Sequence, residues 1–271
     1  MGEHGSIPPD RAAAAVVAVR RLRSRLDGVM PEVTVALATA ALRDAANGQD
    51  VVCRLERVIG APVRVLDGQE EARLCFVGQR AGVWTPPGPT LGLDLGGGSL
   101  ELAVGDERSL HVATSVPVGA TRLRGELHLG DPLSAAELRA VQRRTAAAVG
   151  AARCLVAEYP GISRRALLSG GTARALGRLA TAGKCRGATG SGEVNQVELP
   201  AAQVEQLAAR LAPMTLAQRM VLPGMPARRA PVIAVGAAVL AEVARQLDIE
   251  RYIVSDWGLR EGALLDALAG R

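Results

Sequence analysis

The chain has 271 residues, is 48% hydrophobic and 22% charged, and carries a formal net charge of +5. That balance excludes a disordered chain and leaves core enough for one large domain or two modest ones. Aromatic residues make up 2%, with Phe76 the single phenylalanine, which argues against a nucleic-acid partner held by base stacking.

In chain order, residues 11–26 place apolar side chains at helical spacing among alanine and arginine, and predict a helix. Residues 33–38 predict a buried strand and 39–46 a short helix. Asn47-Gly48 predicts a turn, with Asp50 capping a helix that runs to about Ile59. Residues 63–66 predict a short strand, and Gly68 precedes a helix over 69–80 with Glu70 and Glu71 in its first turn. Residues 83–89 contain three prolines and predict a linker, dividing the chain into 1–82 and 83–271.

Next come a glycine hairpin over 91–104, a strand over 111–115, and helices over 121–128 and 134–158. A strand over 166–168 runs into Ser169-Gly170-Gly171-Thr172 and a helix from Ala173. Residues 181–193, rich in glycine and charge, predict a mobile loop. Helices over 200–211 and 231–247, a strand over 252–255 and a helix over 259–268 complete the pattern. Strands alternating with helices indicate an α/β architecture.

The best candidate for a membrane span, 232–243, is broken by Glu242 and reads as a buried helix. Glu3, His4 and Asp10 stand where a signal peptide would be basic and then apolar, so a cytoplasmic protein with no membrane partner is expected. Cys53, Cys75, Cys154 and Cys185 show no paired spacing and read as reduced thiols. His4, His111 and His128 form no ligand pattern, which disfavours a histidine-rich metal centre or a Ser-His-Asp triad. Nearly all the positive charge is arginine, Lys184 being the one lysine. Arginine suits bidentate phosphate contacts, although GC-rich coding gives the same bias.

The most informative stretch is GLDLGGGSLELAVG. Asp94 ends an apolar run, Gly96, Gly97, Gly98 and Ser99 make a turn, and Glu101 sits in a second apolar run. Amides at such a tip can close around a phosphate, because glycine lets an anion approach closely. Carboxylates flanking it would either hold Mg²⁺ or repel the phosphate, so the pattern reads as metal–phosphate chemistry. The bland alternative is a glycine hairpin with two solvated acids.

The second glycine turn, Gly170-Gly171-Thr172, enters a helix N-terminus, where free amides and the helix dipole favour an anion. It reads equally as a tight strand–helix turn. It is no Walker loop, since Lys184 is followed by Cys185, and the first turn is no dinucleotide fingerprint because it returns as a strand. Arg43, just beyond a strand, could clamp a phosphoryl oxygen, or it could simply pair with Asp44 or another acid. Glu70 and Glu71 point about 100° apart on a helix, so they cannot share one role. One would face a cleft and take a proton from water while the other caps the helix or meets solvent.

Five segments in order, ATAALRDAANG, GQEEARL, LDLGGGSLEL, LLSGGTARAL and IVSDWGLREGALLD, carry a resemblance over nearly the whole chain. The chain resembles the exopolyphosphatase and guanosine pentaphosphate phosphohydrolase family of the actin-like ATPase superfamily. The resemblance implies a two-lobed actin-like (ribonuclease H-like) α/β fold, with 1–82 a remnant of the first lobe and 83–271 the second. It implies that the C-terminal helix packs back on the first lobe. It further implies Mg²⁺-dependent hydrolysis of terminal phosphate from polyphosphate or guanosine pentaphosphate, without a phosphoenzyme.

Residue by residue, Glu71 matches the general base, and Asp94 and Glu101 match carboxylates that position Mg²⁺. The amides of Gly96 to Ser99 match the second phosphate loop, and Arg43 a phosphate-contacting arginine. Gly170, Gly171 and Thr172 match a turn that binds adenosine in actin-like relatives and would here line the cleft. A homodimer is implied at the level of the family alone.

Two departures stand out. Leu100 replaces a more usual Ser or Thr, removing one hydroxyl. The family's opening strand–loop–strand, with its Asp-x-Gly-Ser/Thr-Asn-Ser/Thr phosphate loop, has no counterpart, Asn47 and Asn195 being the only asparagines. The first lobe is therefore expected to be truncated at its N-terminus and activity to be weak. That expectation keeps a second reading open, a non-catalytic phosphate or nucleotide sensor, and a third, an actin-like kinase using the second turn for ATP.

Overall fold

The computed structural model describes residues 5–26, 28–29, 31–159, 162, 164–182 and 194–270. The chain opens with helix α1 (Pro9–Ser24), strand β1 (Ala36–Ala38), helices α2 (Ala40–Arg43) and α3 (Gly48–Ile59), and strand β2 (Val63–Val65). β1 and β2 pair in parallel as a small sheet. α1 packs on α3 through Ala12, Val16, Val51 and Leu55. The strand predicted at 33–38 is shorter because β2 offers partners only to Ala36–Ala38, and Val33 and Val35 stay exposed.

Asp50 does not cap α3. Asn47 holds that position, and its side chain turns instead to Ile7, accepting from the amide at 2.8 Å and donating to the carbonyl at 3.0 Å. Two hydrogen bonds from one amide thus staple the segment before α1 to the start of α3.

Helix α4 (Gly68–Gly82) follows, with the Asp67 carboxylate accepting from the Glu70 amide at 2.8 Å as its cap. The hairpin is strand β3 (Thr90–Leu95) and strand β4 (Leu100–Gly105), followed by β5 (Leu110–Val116). Then come α5 (Ala120–Glu126), α6 (Ala135–Ala157), β6 (Arg165–Ser169) and α7 (Gly170–Thr181). The chain closes with β7 (Glu198–Pro200), α8 (Ala201–Leu211), α9 (Leu216–Met220), α10 (Ile233–Leu247), β8 (Arg251–Val254) and α11 (Leu259–Leu268). Beyond Ala182, the loop predicted at 181–193 lies outside the described residues.

The large sheet has the order β5-β4-β3-β6-β8-β7. β6 is parallel to β3 and β8, while β4, β5 and β7 run antiparallel to their neighbours, so the sheet is mixed. Side chains alternate between its faces. Leu91, Leu93 and Leu95 lie opposite Val104, Leu102 and Leu100 and enter the main core with Val141 and Val149 of α6 and Val239 and Leu240 of α10.

The opposite face carries Gly92, Asp94, Glu101 and Ala103, and α4 lies across it. Phe76 of α4 can settle there because Gly92 has no side chain; a Cβ would stand 2.6 Å from the Phe76 ring. Burying that ring contributes about 2 kcal/mol. α11 covers the outer side of α4 through Ala263 against Leu66 and Leu74, and through Arg73 donating to Asp266 at 2.9 Å. The sheet thus presents one apolar face, and one polar row beneath α4.

Candidate active site

The ladder registers place Ser115, Glu101, Asp94 and Ser169 in one row across β5, β4, β3 and β6. Residues directly opposite in such a ladder have Cβ atoms about 5 Å apart, so the two acids stand side by side. Hydroxyls flank them: Ser115 donates to Glu101 at 2.9 Å and Ser169 donates to Asp94. Above the row, Glu71, Cys75 and Gln79 of α4 are four residues apart and share a face. Cys75 hydrogen-bonds Asp94, and Gln79 donates to Ser169 and to the Leu93 carbonyl, each at 2.7 Å.

Burial and mutual repulsion dominate the electrostatics. Glu101 is 2% exposed, and burial, with Glu71 and Asp94 nearby, pushes its carboxyl up to about 8. Burial also raises Asp94, against the pull of the Ser169 hydroxyl and Arg174. Glu71 is raised by burial too, although Arg43 pulls it down. The Cys75 thiol is pushed well up by burial and by the three carboxylates, which leaves it protonated and unreactive.

The triple-glycine turn lies at the open end of this row. Its carbonyls are committed to α5. Gly96 accepts from the Ala120 amide at 3.2 Å, and Gly97 from Thr121 at 3.0 Å and Arg122 at 2.9 Å. Among the described residues no backbone acceptor pairs with the amides of Gly97, Gly98 or Ser99. Gly119 permits this clasp, because a Cβ there would meet the Gly97 carbonyl at 2.3 Å. The turn opens on a cavity of about 640 Å³ lined by Glu71, Gly96, Gly97, Gly98, Ser99 and, from α5, Arg122 among others. Asp94, Glu101 and Arg43 adjoin that cavity without being part of its wall.

Arg43 donates through Nη1 to the Leu66 carbonyl at 2.8 Å and to Glu71 at 3.2 Å. Of the two alternatives for Arg43 the acid pairing is the one seen, since its Nε also lies 3.4 Å from Asp44. Glu70 and Glu71 divide as their angular separation requires. Glu70 meets Arg73 at 2.8 Å and Arg64 at 3.3 Å, and Arg73 holds its carboxyl below the usual range. Glu71 alone turns to the cavity.

The second glycine turn stands apart from the triple-glycine cavity. Thr172 is fully buried against Gly236 of α10, and neither it nor Gly170 nor Gly171 lines the triple-glycine cavity. The turn serves Asp94: a Cβ on Gly170, whose φ is 98°, would stand 3.0 Å from that carboxylate. Over Gly171 lies the Arg229 guanidinium, 2.0 Å from where a Cβ would sit, with its buried Nε unpaired among the described residues. Leu100 points into the apolar core, away from Glu101. Arg122, Ser169, Gln79 and Arg229 were not foreseen; Gln79 shares α4 with Glu71, and the other three reach the site from distant parts of the chain.

Residues 1–270 match the sequence model of the Ppx/GppA phosphatase family. The chain belongs to that family. Exopolyphosphatase 1 of Mycobacterium tuberculosis is 35% identical to this family member over 234 residues, which cover 86% of the chain and 67% of that relative. The guanosine-5'-triphosphate,3'-diphosphate pyrophosphatase of Aeromonas salmonicida is 29% identical over 237 residues, covering 85% of this chain and 44% of that protein. Among solved structures, an exopolyphosphatase from Cytophaga hutchinsonii superposes with a TM-score of 0.89 at 22% identity, covering 98% of this chain and 85% of that one. The α/β architecture with its mixed sheet is therefore shared within the family. No helix among the described residues is long and apolar enough to cross a membrane.

Proposed function

We propose that this family member is a Mg²⁺-dependent phosphoanhydride hydrolase that removes the terminal phosphate of inorganic polyphosphate or guanosine pentaphosphate. The names of its relatives supply the two substrates, which end in the same anhydride. One observation carries the reading. Glu71, a carboxylate with raised proton affinity, shares a cavity with uncommitted amides of the triple-glycine turn.

The amides of Gly97, Gly98 and Ser99 receive the terminal phosphoryl oxygens, as a glycine nest receives an anion. Glu71 orients a water and takes its proton as the oxygen bonds to phosphorus and the anhydride oxygen leaves with the shortened chain. Arg43 keeps its Nη1 on Glu71, orienting the base, and offers its remaining N–H groups to a phosphoryl oxygen.

Asp94 and Glu101 fit a hard divalent cation. They are adjacent across the hairpin ladder and supply four carboxylate oxygens, burial raises both, and the Asp94 charge raises Glu101 further. Among the described residues no ready-made cage of three or more ligands exists, and Mg²⁺ characteristically relies on one or two carboxylates plus water and phosphate. A cation held there would neutralise charge on the phosphoryl oxygens.

The test is phosphate release from each substrate by purified protein with Mg²⁺, against Glu71→Gln. Turnover that vanishes with chelator and with the substitution supports the proposal. Full activity in Glu71→Gln removes the mechanism, and tight binding without turnover replaces the hydrolase with a sensor.

A further inference from the structure

Between the triple-glycine turn and Glu71 runs an unbroken polar chain. Arg122 of α5 donates through Nε to the Gly98 carbonyl at 2.7 Å and through Nη2 to Asp44. The other oxygen of Asp44 lies 3.4 Å from Arg43 Nε, and Arg43 Nη1 reaches Glu71 at 3.2 Å. Charge alternates along it: arginine, aspartate, arginine, glutamate. The chain crosses from the large sheet's α5 to α2 beside the small sheet, bridging residues 78 positions apart in sequence.

Resting on the phosphohydrolase reading of this site, we propose that Asp44 and Arg122 are positioning residues that fix the Arg43 guanidinium relative to the triple-glycine turn. A guanidinium is planar, so anchoring two of its edges sets the direction of the third. Arg43 is anchored at Nε by Asp44 and at Nη1 by the Leu66 carbonyl and Glu71. Its Nη2 makes no hydrogen bond among the described residues and is left for a phosphoryl oxygen.

Asp44 is the weak point of that anchoring, because it sits in the short loop after α2 and is one-third exposed. The fork from Arg122 holds it, and Arg122 is itself registered on Gly98, the turn whose amides would take the same phosphoryl group. The donor on one side of the phosphate is thereby indexed to the donors on the other. A misplacement of about 1 Å in such a set costs on the order of 100-fold in rate.

A double-mutant cycle tests this. Asp44→Asn and Arg122→Gln are each made in the wild-type and Arg43→Ala backgrounds, and kcat and KM are measured on polyphosphate and guanosine pentaphosphate. Positioning through Arg43 predicts that each lowers kcat at least tenfold with KM changed less than threefold. In the Arg43→Ala background the same substitutions should change kcat less than twofold. The conservative Arg122→Lys and Asp44→Glu should recover part of the loss, and they serve as the informative variants if the neutral ones melt early. Equal factors in both backgrounds overturn the inference.

Wild-type protein that hydrolyses neither substrate refutes the hydrolase reading instead, and the cycle is then read on the affinity for imidodiphosphate. Coupling to Arg43 in that affinity supports the positioning role; additivity, or no binding by the wild type, overturns it.

Discussion

Replacing Glu101 with glutamine should stabilise the cation-free protein. Glu101 is 2% exposed and faces Glu71 from α4, Asp94 from β3 and the hydroxyls of Ser99 and Ser115. Its carboxyl is raised from 4.5 to about 8, mainly by burial. A folded-state value above the unfolded one means the native state holds the proton more tightly. The stability this contributes is complete below pH 4.5 and is lost as pH rises towards 8.

At pH 7 the unfolded carboxyl has ionised over about 2.5 units while the folded one has hardly begun, which at 1.36 kcal/mol per unit costs about 3 kcal/mol. Glutamine has nearly the same shape, keeps an acceptor for Ser115 and carries no charge. The variant should therefore melt about 6–10 °C higher at pH 7 in chelator, with the gap closing towards pH 4.5. Scanning calorimetry from pH 4.5 to 8 reads both. With saturating Mg²⁺ the wild type should gain stability and the variant should not. A variant that melts lower than wild type at pH 7 in chelator, or that gains equally from Mg²⁺, refutes the reasoning.

Further outcomes follow from the same geometry. A general base acts only when ionised and burial raises Glu71, so kcat/KM of the wild type should fall as pH drops through a value above 4.5, read from the pH profile of phosphate release. Gly119→Ala places a methyl 2.3 Å from the Gly97 carbonyl and should destabilise the fold by about 1–3 kcal/mol while lowering hydrolysis more than tenfold, read by melting and phosphate release. Arg219, 1% exposed, donates to the carbonyls of Ala230 at 2.8 Å and Met214 at 2.5 Å and pairs with Asp131. Its truncation to alanine should cost about 3–5 kcal/mol in urea unfolding, since it leaves buried acceptors and a carboxylate without their partner.

The turn residues were legible in the sequence because they are local. Consecutive glycines after an apolar run can do little but end one strand and start another, and Asp94 and Glu101 become neighbours through the hairpin's own register. The split between Glu70 and Glu71 was likewise a matter of helical angle. What escaped notice depends on contacts remote in sequence. Arg122 meets Asp44 across 78 positions and Ser169 meets Asp94 across 75, and neither pairing leaves a spacing to read. Asn47 looked like a turn residue and works as a staple to Ile7, 40 positions away. The Arg229 guanidinium over Gly171 is another contact that no local spacing announces.

The strands foretold at 33–38 and 63–66 were too long for a related reason. Hydrophobic residues mark where a strand can form, but ladder length is set by the partner, and β2 offers three residues. The short β7 carries no periodic signal and exists because β8 supplies its hydrogen bonds. Polar residues on the face beneath α4 would ordinarily signal exposure; here a helix covers them, and their burial is what raises the acids.

Hydrolysis in water enriched in oxygen-18 is the most direct test of how this cleft acts. Glu71 delivering water to the terminal phosphorus predicts one labelled oxygen in each phosphate released and none in the shortened chain. Label in the remaining chain, or undiminished labelled product from Glu71→Gln, would contradict the account.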